Sequence, residues 1–325
     1  MSDTDNIRHN LLIIGVGEVG SRITLDVTKE INSDYLLLNT RKNSKYITKN
    51  ITIDTASWIN PSIYKIRESF INQLNNILSF IDKYTNIIII GNLASKFGIA
   101  IIPILTNILH QNSEKEIFSF VIMPFEFEKN KIFQSGVSLA FTTNFSNSTI
   151  VVDNNSFFKN NPELSISECY EITNNAIKDI IISYSKRGFP TEVNMLATCK
   201  ESEKIEHAFS NSMSMLNDIN LKTIEKTFMI IYPAKEKIDK IDSIIKTIEK
   251  ITDNSENEVN IITDENNNNF SKMHLVTKTN SLIFSSYDPL NKIISKDKIL
   301  DFEPEINCNI KEISYLPDIE SNIIK

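Results

Sequence analysis

Glycine is scarce in this 325-residue chain: there are seven, and all lie before residue 190. A soluble protein of this length carries about 7% glycine, roughly three times as many. Ile, Asn and Lys are abundant, and Arg stands only at positions 8, 22, 41, 67 and 187, the usage that A+T-rich coding produces. A glycine that survives such a bias tends to sit where no side chain fits. Cysteine is also rare. Cys169, Cys199 and Cys308 are odd in number and widely spaced, which excludes a disulfide framework and a zinc cluster and fits a reducing cytoplasm. His9, His110, His207 and His274 show no metal-ligand spacing. No run of 18 apolar residues exists, and the polar start MSDTDNIRHN lacks the apolar core of a signal peptide, so neither a transmembrane segment nor a leader is expected. An excess of basic charge is missing too. The net charge is -7, which argues against a general nucleic-acid binder.

What remains is enough for a folded core, with 41% hydrophobic residues of which the aromatics (9%) form part. The length suits two domains or one large one. Residues 11–16 form a continuous apolar run that ends in glycines, the pattern of a buried parallel strand. A helix follows over 19–31, a strand over 35–38, and a polar stretch over 39–60. Pro61 opens a helix with Ile63, Ile66, Phe70, Leu74 and Ile77 along one face. Strands at 86–90, 117–123 and 149–152 alternate with helices at 99–110 and 129–145, and one long helix spans 162–186. This alternation predicts an α/β fold with right-handed crossovers and a mostly parallel sheet. Gly188-Phe189-Pro190 then breaks the pattern, and a second α/β segment follows. It has strands at 193–199 and 227–232, helices at 202–216 and 238–251, and two strands, 259–263 and 273–277, that could pair around 264–269.

Ligands of such sheets bind outside the carboxyl ends of the strands. Gly15, Gly17 and Gly20 form G-x-G-x-x-G between a strand and a helix, with Glu18, Val19 and Ser21 in and beside it. Glycines there let a phosphate approach the helix N-terminus. The same spacing also permits close helix–sheet packing; the general scarcity of glycine favours a phosphate-facing loop. Asn39-Thr40-Arg41-Lys42 ends the second strand in place of the usual acidic residue and could accommodate a ribose 2′-phosphate. Gly91, Asn92, Ser95, Lys96 and Gly98 lie in a loop after the third strong strand. It is not a Walker loop, but Ser95 and Lys96 could touch a phosphate. Pro124-Phe125-Glu126-Phe127-Glu128 follows the next strand. If extended, it places both rings on one side and both carboxylates on the other, where a carboxylate could accept from ribose hydroxyls. Asn154 follows another strand, and Asn174 and Asn175 lie on the long helix, where amides could read a base edge.

In order and spacing, these pieces resemble the FtsZ/tubulin superfamily, most strongly FtsZ and FtsZ-like proteins, over residues 10–280. IIGVGEVGSRI resembles the first phosphate loop, and LLLNT the second strand with its Asn-Thr. IIIIGNLASKFGIAIIPIL occupies the place of the glycine-rich signature. MPFEFEKNKIFQSGVSLA, including Gly136, is similar to the P-F-x-F-E segment and its helix, the most specific match. TIVVDNN resembles the next strand and loop, and EITNNAIKDII the central helix, with Asn174 at its purine-facing Asn. The resemblance implies a Rossmann-like nucleotide-binding domain over 10–187 that includes a central helix at 162–186. A flexible N-terminus (1–9), a smaller C-terminal α/β domain (188–287) and a tail (288–325) complete the expected organisation. It further implies GTP or GDP as ligand at the residues named above, with Mg2+ accompanying a bound nucleotide. The implied setting is cytoplasmic, with head-to-tail self-association or pairing with another FtsZ-family protein, and no nucleic-acid partner.

The departures bear on activity. Leu93, Ala94, Ser95 and Phe97 bring Cβ atoms where the signature G-G-G-T-G-[ST]-G brings backbone to phosphate. Arg41 replaces an acidic residue, Ile132 an Arg near the nucleotide, and Asn175 the Asp that recognises guanine. After the central helix the family reads G-x-x-N-x-D-x-x-D; aligned on Gly188, Thr191, Val193 and Leu196 stand at the Asn and the two Asp. Glu192 is the one carboxylate that could substitute, one position displaced. Water positioning depends on geometry. The expectation is therefore a divergent FtsZ-like cytoskeletal or cell-division protein with weakened or lost GTP hydrolysis, a pseudo-GTPase. The alternatives are an active GTPase with a rewired site and an NADP-binding Rossmann oxidoreductase.

Overall fold

The structure, a computed structural model, describes residues 10–40, 50–55, 60–216, 224–234, 238–252, 257–262, 270–279 and Tyr287. The expected flexible N-terminus 1–9, Arg41, the turn at 264–269 and the tail 288–325 lie outside the described residues.

The apolar runs read as strands are strands: β1 (Leu11–Val16), β2 (Asp34–Asn39), β4 (Asn86–Asn92), β5 (Glu116–Ile122) and β6 (Ser148–Val152). A short β3 (Asn50–Thr52) sits in the polar stretch that carried no strand signal. Helices α1 (Gly17–Ile31), α2 (Ile63–Asn72), α3 (Leu74–Ile81), α4 (Lys96–His110) and α5 (Lys129–Phe145) connect them. Beyond β6 come α6 (Asn154–Asn160), α7 (Ile166–Tyr184), β7 (Glu192–Thr198), α8 (Ile205–Ser214), β8 (Ile224–Tyr232), α9 (Ile238–Thr252), β9 (Glu258–Ile261) and β10 (Lys272–Thr279).

Among the described residues these strands make one ten-stranded sheet in the order β3-β2-β1-β4-β5-β6-β7-β10-β8-β9. The pairs from β3 to β7 are parallel, and β10 runs antiparallel to β7 and β8. β6 pairs with β7 from Ser148↔Glu192 to Val152↔Leu196, so the sheet runs on across position 188. β9 and β10 do not pair with each other. β8 lies between them, parallel to β9 and antiparallel to β10, which corrects the expected pairing around 264–269.

Period-two alternation divides the strands between two faces. Leu12, Ile14, Leu36, Ile87 and Ile89 pack with Ile66, Phe70, Ile77, Ala100 and Leu139 of α2 to α5. Leu11, Ile13, Ile88, Phe120 and Ile150 pack on the other face with Ile23 and Val27 of α1 and Ile177, Ile180 and Ile181 of α7. α7 also reaches Leu196, Phe228, Ile230 and Val276, so it crosses both halves of the sheet. A third cluster, including Met195, Met229, Met273 and Leu275, packs under α8 and α9.

Two helices differ from the sequence reading. The expected helix over 162–186 is shorter, and α6 precedes it. Ser165 sets its start through a capping box: its hydroxyl accepts from Glu168 N while the Glu168 carboxylate accepts from Ser165 N. The helix after Pro61 starts at Ile63, capped by Ser62, and is split into α2 and α3 at Gln73. Pro103 lies inside α4 and cannot donate to the carbonyl of Ile99. The Ser138 hydroxyl of α5 donates to that carbonyl instead, at 3.4 Å. Among the described residues no helix is long and apolar enough to cross a membrane.

Candidate functional site

The register places the carboxyl ends of β1, β4, β5 and β6 at one edge, where their loops emerge side by side. Leu93 N donates to Ile122 O and Met123 N to Val152 O, which extends the ladder into those loops. α7 begins near this edge, with Tyr170 edge-on to Phe125 at 5.4 Å, and ends at the opposite one, with Tyr184 against Phe189.

After β1, α1 starts without a side-chain cap, so its first N–H groups keep their positive potential. Gly17 holds φ +74, a conformation that favours glycine. The exposed Glu18 carboxylate stands in this first turn, and Val19 is half-buried beside it. Gly15 and Gly20 face inward: a Cβ on Gly20 would lie 2.2 Å from Ile90 O, and one on Gly15 2.8 Å from Gly20 O. Asn39 at the end of β2 pins the turn. With its amide oriented to satisfy both ends, Nδ2 donates to Leu38 O and Gly17 O, and Oδ1 accepts from the Ser21 hydroxyl. The side chain that fronts Gly17 is Phe97, with its ring 3.6 Å from the position of a Cβ.

The loop after β4 is satisfied from within. Asn92 Oδ1 accepts from Ala94 N at 2.7 Å, and Asn92 O accepts from Ser95 N at 3.1 Å and from the Ser95 hydroxyl at 2.8 Å. Ser95 Oγ caps α4 by accepting from Gly98 N at 3.0 Å. Gly98 sits directly on Asn92, where a Cβ would lie 2.1 Å from Asn92 O. Gly91 packs against Ile102 and Val16. Lys96 Nζ reaches Asn60 Oδ1 at 2.9 Å.

After β5 the chain turns rather than continuing extended. Phe125 and Phe127 stack at 5.1 Å, yet Phe125 is buried and Phe127 is 58% exposed. Glu128 folds back: one oxygen accepts from Phe125 N and the other pairs with Lys131 at 2.6 Å. After β6, Asp153 caps α6 by accepting from Asn155 N and Ser156 N. Its carboxylate also accepts from the hydroxyl of Tyr287 at 2.9 Å, a hydroxyl that lies 3.1 Å from Pro124 O. Tyr287 is buried, so a residue far along the chain is seated between the ends of β5 and β6.

Between α1 and α7 opens a cleft of about 390 Å³ lined by Arg22, Ile23, Asp26, Ser167, Glu171, Asn174, Asn175 and Lys178. Asn175 is exposed at its rim, whereas Asn174 is buried. The amides of Asn174 and of Asn154, the first residue of α6, have no hydrogen-bond partner at either polar atom. Tyr170, one turn before Asn174, lies in reach of the Asn92 side chain. Burial and the charge of Glu128 push its hydroxyl pKa up.

The residues named from the sequence in the loops after β1, β4, β5 and β6 and on α7 are therefore brought to one edge and its flanking cleft. Glu192 is not among them. It opens β7 opposite Ser148, at the other end of the sheet, with φ +66 and its carboxylate 3.2 Å from Lys278 Nζ. The candidate site residues that sequence reasoning missed are Asp153, Tyr170 and Tyr287. Helical spacing from Asn174 signals Tyr170; no periodicity signals Tyr287. Among the described residues no group of three or more His, Cys, Asp or Glu could hold a metal ion.

Neither a protein-family model nor a curated protein matches this chain. Solved structures do. An FtsZ dimer of M. jannaschii is similar with a TM-score of 0.67 and 16% identity, over 85% of this chain and 92% of that one. CetZ from Methanosaeta thermophila gives 0.65 and 15% over 90% and 93%. A GTPγS-bound protofilament of CetZ2 from Haloferax volcanii gives 0.63 and 15% over 87% and 99%. The chain has the fold of the FtsZ/tubulin superfamily.

Proposed function

We propose that this chain, folded as FtsZ and tubulin are, is a self-associating cytoskeletal scaffold of the cytoplasm whose GTP hydrolysis is lost. The observation that carries the reading is the turn after α7. Residues 185–191, Ser-Lys-Arg-Gly-Phe-Pro-Thr, contain no carboxylate, and β7 begins at the next position. Phe189 fills the turn with an aromatic ring stacked on Phe118 at 4.3 Å. A water held for in-line attack is best oriented and polarised by a carboxylate, and this turn offers only backbone carbonyls and the hydroxyls of Ser185 and Thr191. Glu192 lies in β7, outside the turn, with its exposed carboxylate paired to Lys278 at 3.2 Å.

The similar structures include a dimer and a protofilament. That supports self-association here, and a head-to-tail contact of this kind builds open filaments. In this reading the α1–α7 cleft is the nucleotide site, and a role in cell division or cell shape follows from filament formation. A rewired, active GTPase would need Lys96 on the phosphates; here Lys96 Nζ donates to Asn60 Oδ1 at 2.9 Å.

Phosphate release with GTP and Mg2+ tests the loss of hydrolysis. The expected result is no release above background, for the chain alone and mixed with an FtsZ-family partner, unchanged by Glu192→Ala or Lys96→Ala. Sustained turnover that falls in either variant would overturn the reading.

A further inference from the structure

We propose that the outward face of α5 pairs side by side with the same face of a second copy of this chain. The pairing goes beyond the self-association read above. It assigns a lateral surface, away from the strand ends, and it needs no nucleotide.

A helix buried along one side normally carries charged residues on the other. α1 does so with Glu18, Arg22, Asp26 and Lys29. α5 does not. Its inward side holds Ile132, Ser135, Leu139 and Thr142. Helical spacing turns Phe133, Val137, Ala140, Phe141 and Asn144 to the opposite side. Phe133 is 48% exposed and Asn144 is exposed, while Val137, Ala140 and Phe141 are half-buried. Phe145 continues the stripe, 6.4 Å from the Phe141 ring and 5.6 Å from the ring of His110 at the end of α4. From Phe133 to Phe145 the stripe runs about 18 Å along the helix.

The neighbouring helix is similarly bare. No Asp, Glu, Lys or Arg occurs over 132–152, which includes most of α5, or over 97–113, which includes nearly all of α4, although 23% of the chain is charged. The two helices lie against each other, with Ser138 Oγ 3.4 Å from Ile99 O.

This lack of charge selects the partner. At a net charge of -7, two copies repel one another in most orientations. A two-fold contact sets a patch against itself, so a charge near the axis meets its own sign and loses its water there. The α5 stripe holds no charge to be met, and pairing removes its Phe and Val side chains from water. A lipid surface fits less well. A helix lying in a membrane interface is rich in Lys and Arg along its polar face, whereas the lysines of α5, Lys129 and Lys131, stand in its first turn alone. Lys131 is moreover paired with Glu128. α5 runs alongside the strands, so the pairing leaves both ends of the sheet open. Along a filament the contacts repeat and act together. That consequence rests on the filament reading; the pairing itself does not.

Oxidative cross-linking of the full chain, without nucleotide, tests the surface. In a Cys308→Ser background the remaining native thiols, Cys169 and Cys199, are buried. Val137→Cys and Ala140→Cys, in the middle of the stripe, are expected to give a disulfide-linked dimer. Lys29→Cys, exposed on α1, is expected to give none. Val137→Glu and Val137→Lys should each weaken side-by-side association by about ten-fold or more in sedimentation velocity. An equal mixture of the two should recover it, a result that misfolding of either variant cannot produce. Cross-linking no stronger for Val137→Cys or Ala140→Cys than for Lys29→Cys, or association unchanged in both charged variants, would overturn the pairing and leave end-to-end association standing. A chain that stays monomeric at every concentration would overturn the pairing and the self-association reading together. Capture by phosphatidylcholine vesicles that Val137→Glu abolishes, with no cross-linked dimer, would overturn the pairing in favour of a lipid surface.

Discussion

Gly20→Ala is expected to abolish the folded state or to destabilise it by about 3 kcal/mol or more, the upper end for overpacking. The added Cβ would meet Ile90 O at 2.2 Å and Ile90 C at 3.0 Å, backbone atoms in the middle of the sheet. Neither can move without shifting β4 against β1. α1 cannot retreat either, because Ile23 and Val27 are locked in the core beneath it. A native domain holds only about 5–15 kcal/mol in reserve. Gly188→Ala is the control. It has φ +97 but open space around it, so it pays backbone strain alone, about 1–2 kcal/mol. Thermal unfolding of the two variants checks the contrast. A cooperative Gly20→Ala transition at or above that of Gly188→Ala would show that α1 does not sit as closely on β4 as described.

Asp179→Ala is expected to cost about 3 kcal/mol, the range for removing one partner of a buried charge pair. Asp179 of α7 accepts from Lys272 Nζ at 2.8 Å and faces His274 Nε2 at 3.1 Å, and Thr198 Oγ1 lies 2.9 Å from His274 Nδ1. Burial pulls the His274 pKa down despite the carboxylate, so the ring is neutral near pH 7. A proton on Nε2 lets it donate to Asp179 while Nδ1 accepts from Thr198. Burial alone would raise the Asp179 pKa. The hydrogen bond from His274 and the charge of Lys272 outweigh it and hold the carboxyl well below the usual range. The folded pKa of Asp179 is thus depressed. Its stabilisation is complete above the unfolded value of about 3.9 and is lost as pH falls through the folded one. The gap in unfolding free energy between the native chain and Asp179→Ala should not fall between pH 7 and about pH 5, because the carboxylate also raises the His274 pKa, and should shrink below pH 4 as Asp179 takes up its proton. Urea denaturation from pH 7 to pH 2 reads it. A gap undiminished at pH 2 would contradict the pairing. Asp179 shares α7 with Asn174 and Lys178 of the cleft, so this cluster fixes the helix that carries the candidate site to the β7–β10 part of the sheet.

The parts of the fold legible in the sequence were those encoded locally. Continuous apolar runs marked β1 and β4 because both faces of those strands are covered. The helix expected over 129–145 has those bounds in α5. The capping signature Ser165-x-x-Glu168 marks the start of α7, three residues beyond the expected start at 162. What was not legible is non-local. The placement of β8 between β9 and β10 depends on pairings from Lys272↔Tyr232 to Phe228↔Glu258 that no short window contains. Asp179 and His274 lie 95 positions apart, and Tyr287 lies 134 from Asp153. For the site, the sequence named the loops that converge. It could not tell that Gly20 and Gly98 serve close backbone contact, nor that Asn92 and Ser95 satisfy their own loop, because both follow from how helices settle on the sheet.

Sedimentation at high protein concentration, with no nucleotide, with GDP and with GTP plus Mg2+, tests the central claim most directly. A scaffold that associates without hydrolysis predicts the same pelleted fraction in all three conditions, stable over hours. A chain that stays monomeric throughout, or that pellets only with GTP and disperses as phosphate is released, would contradict the account.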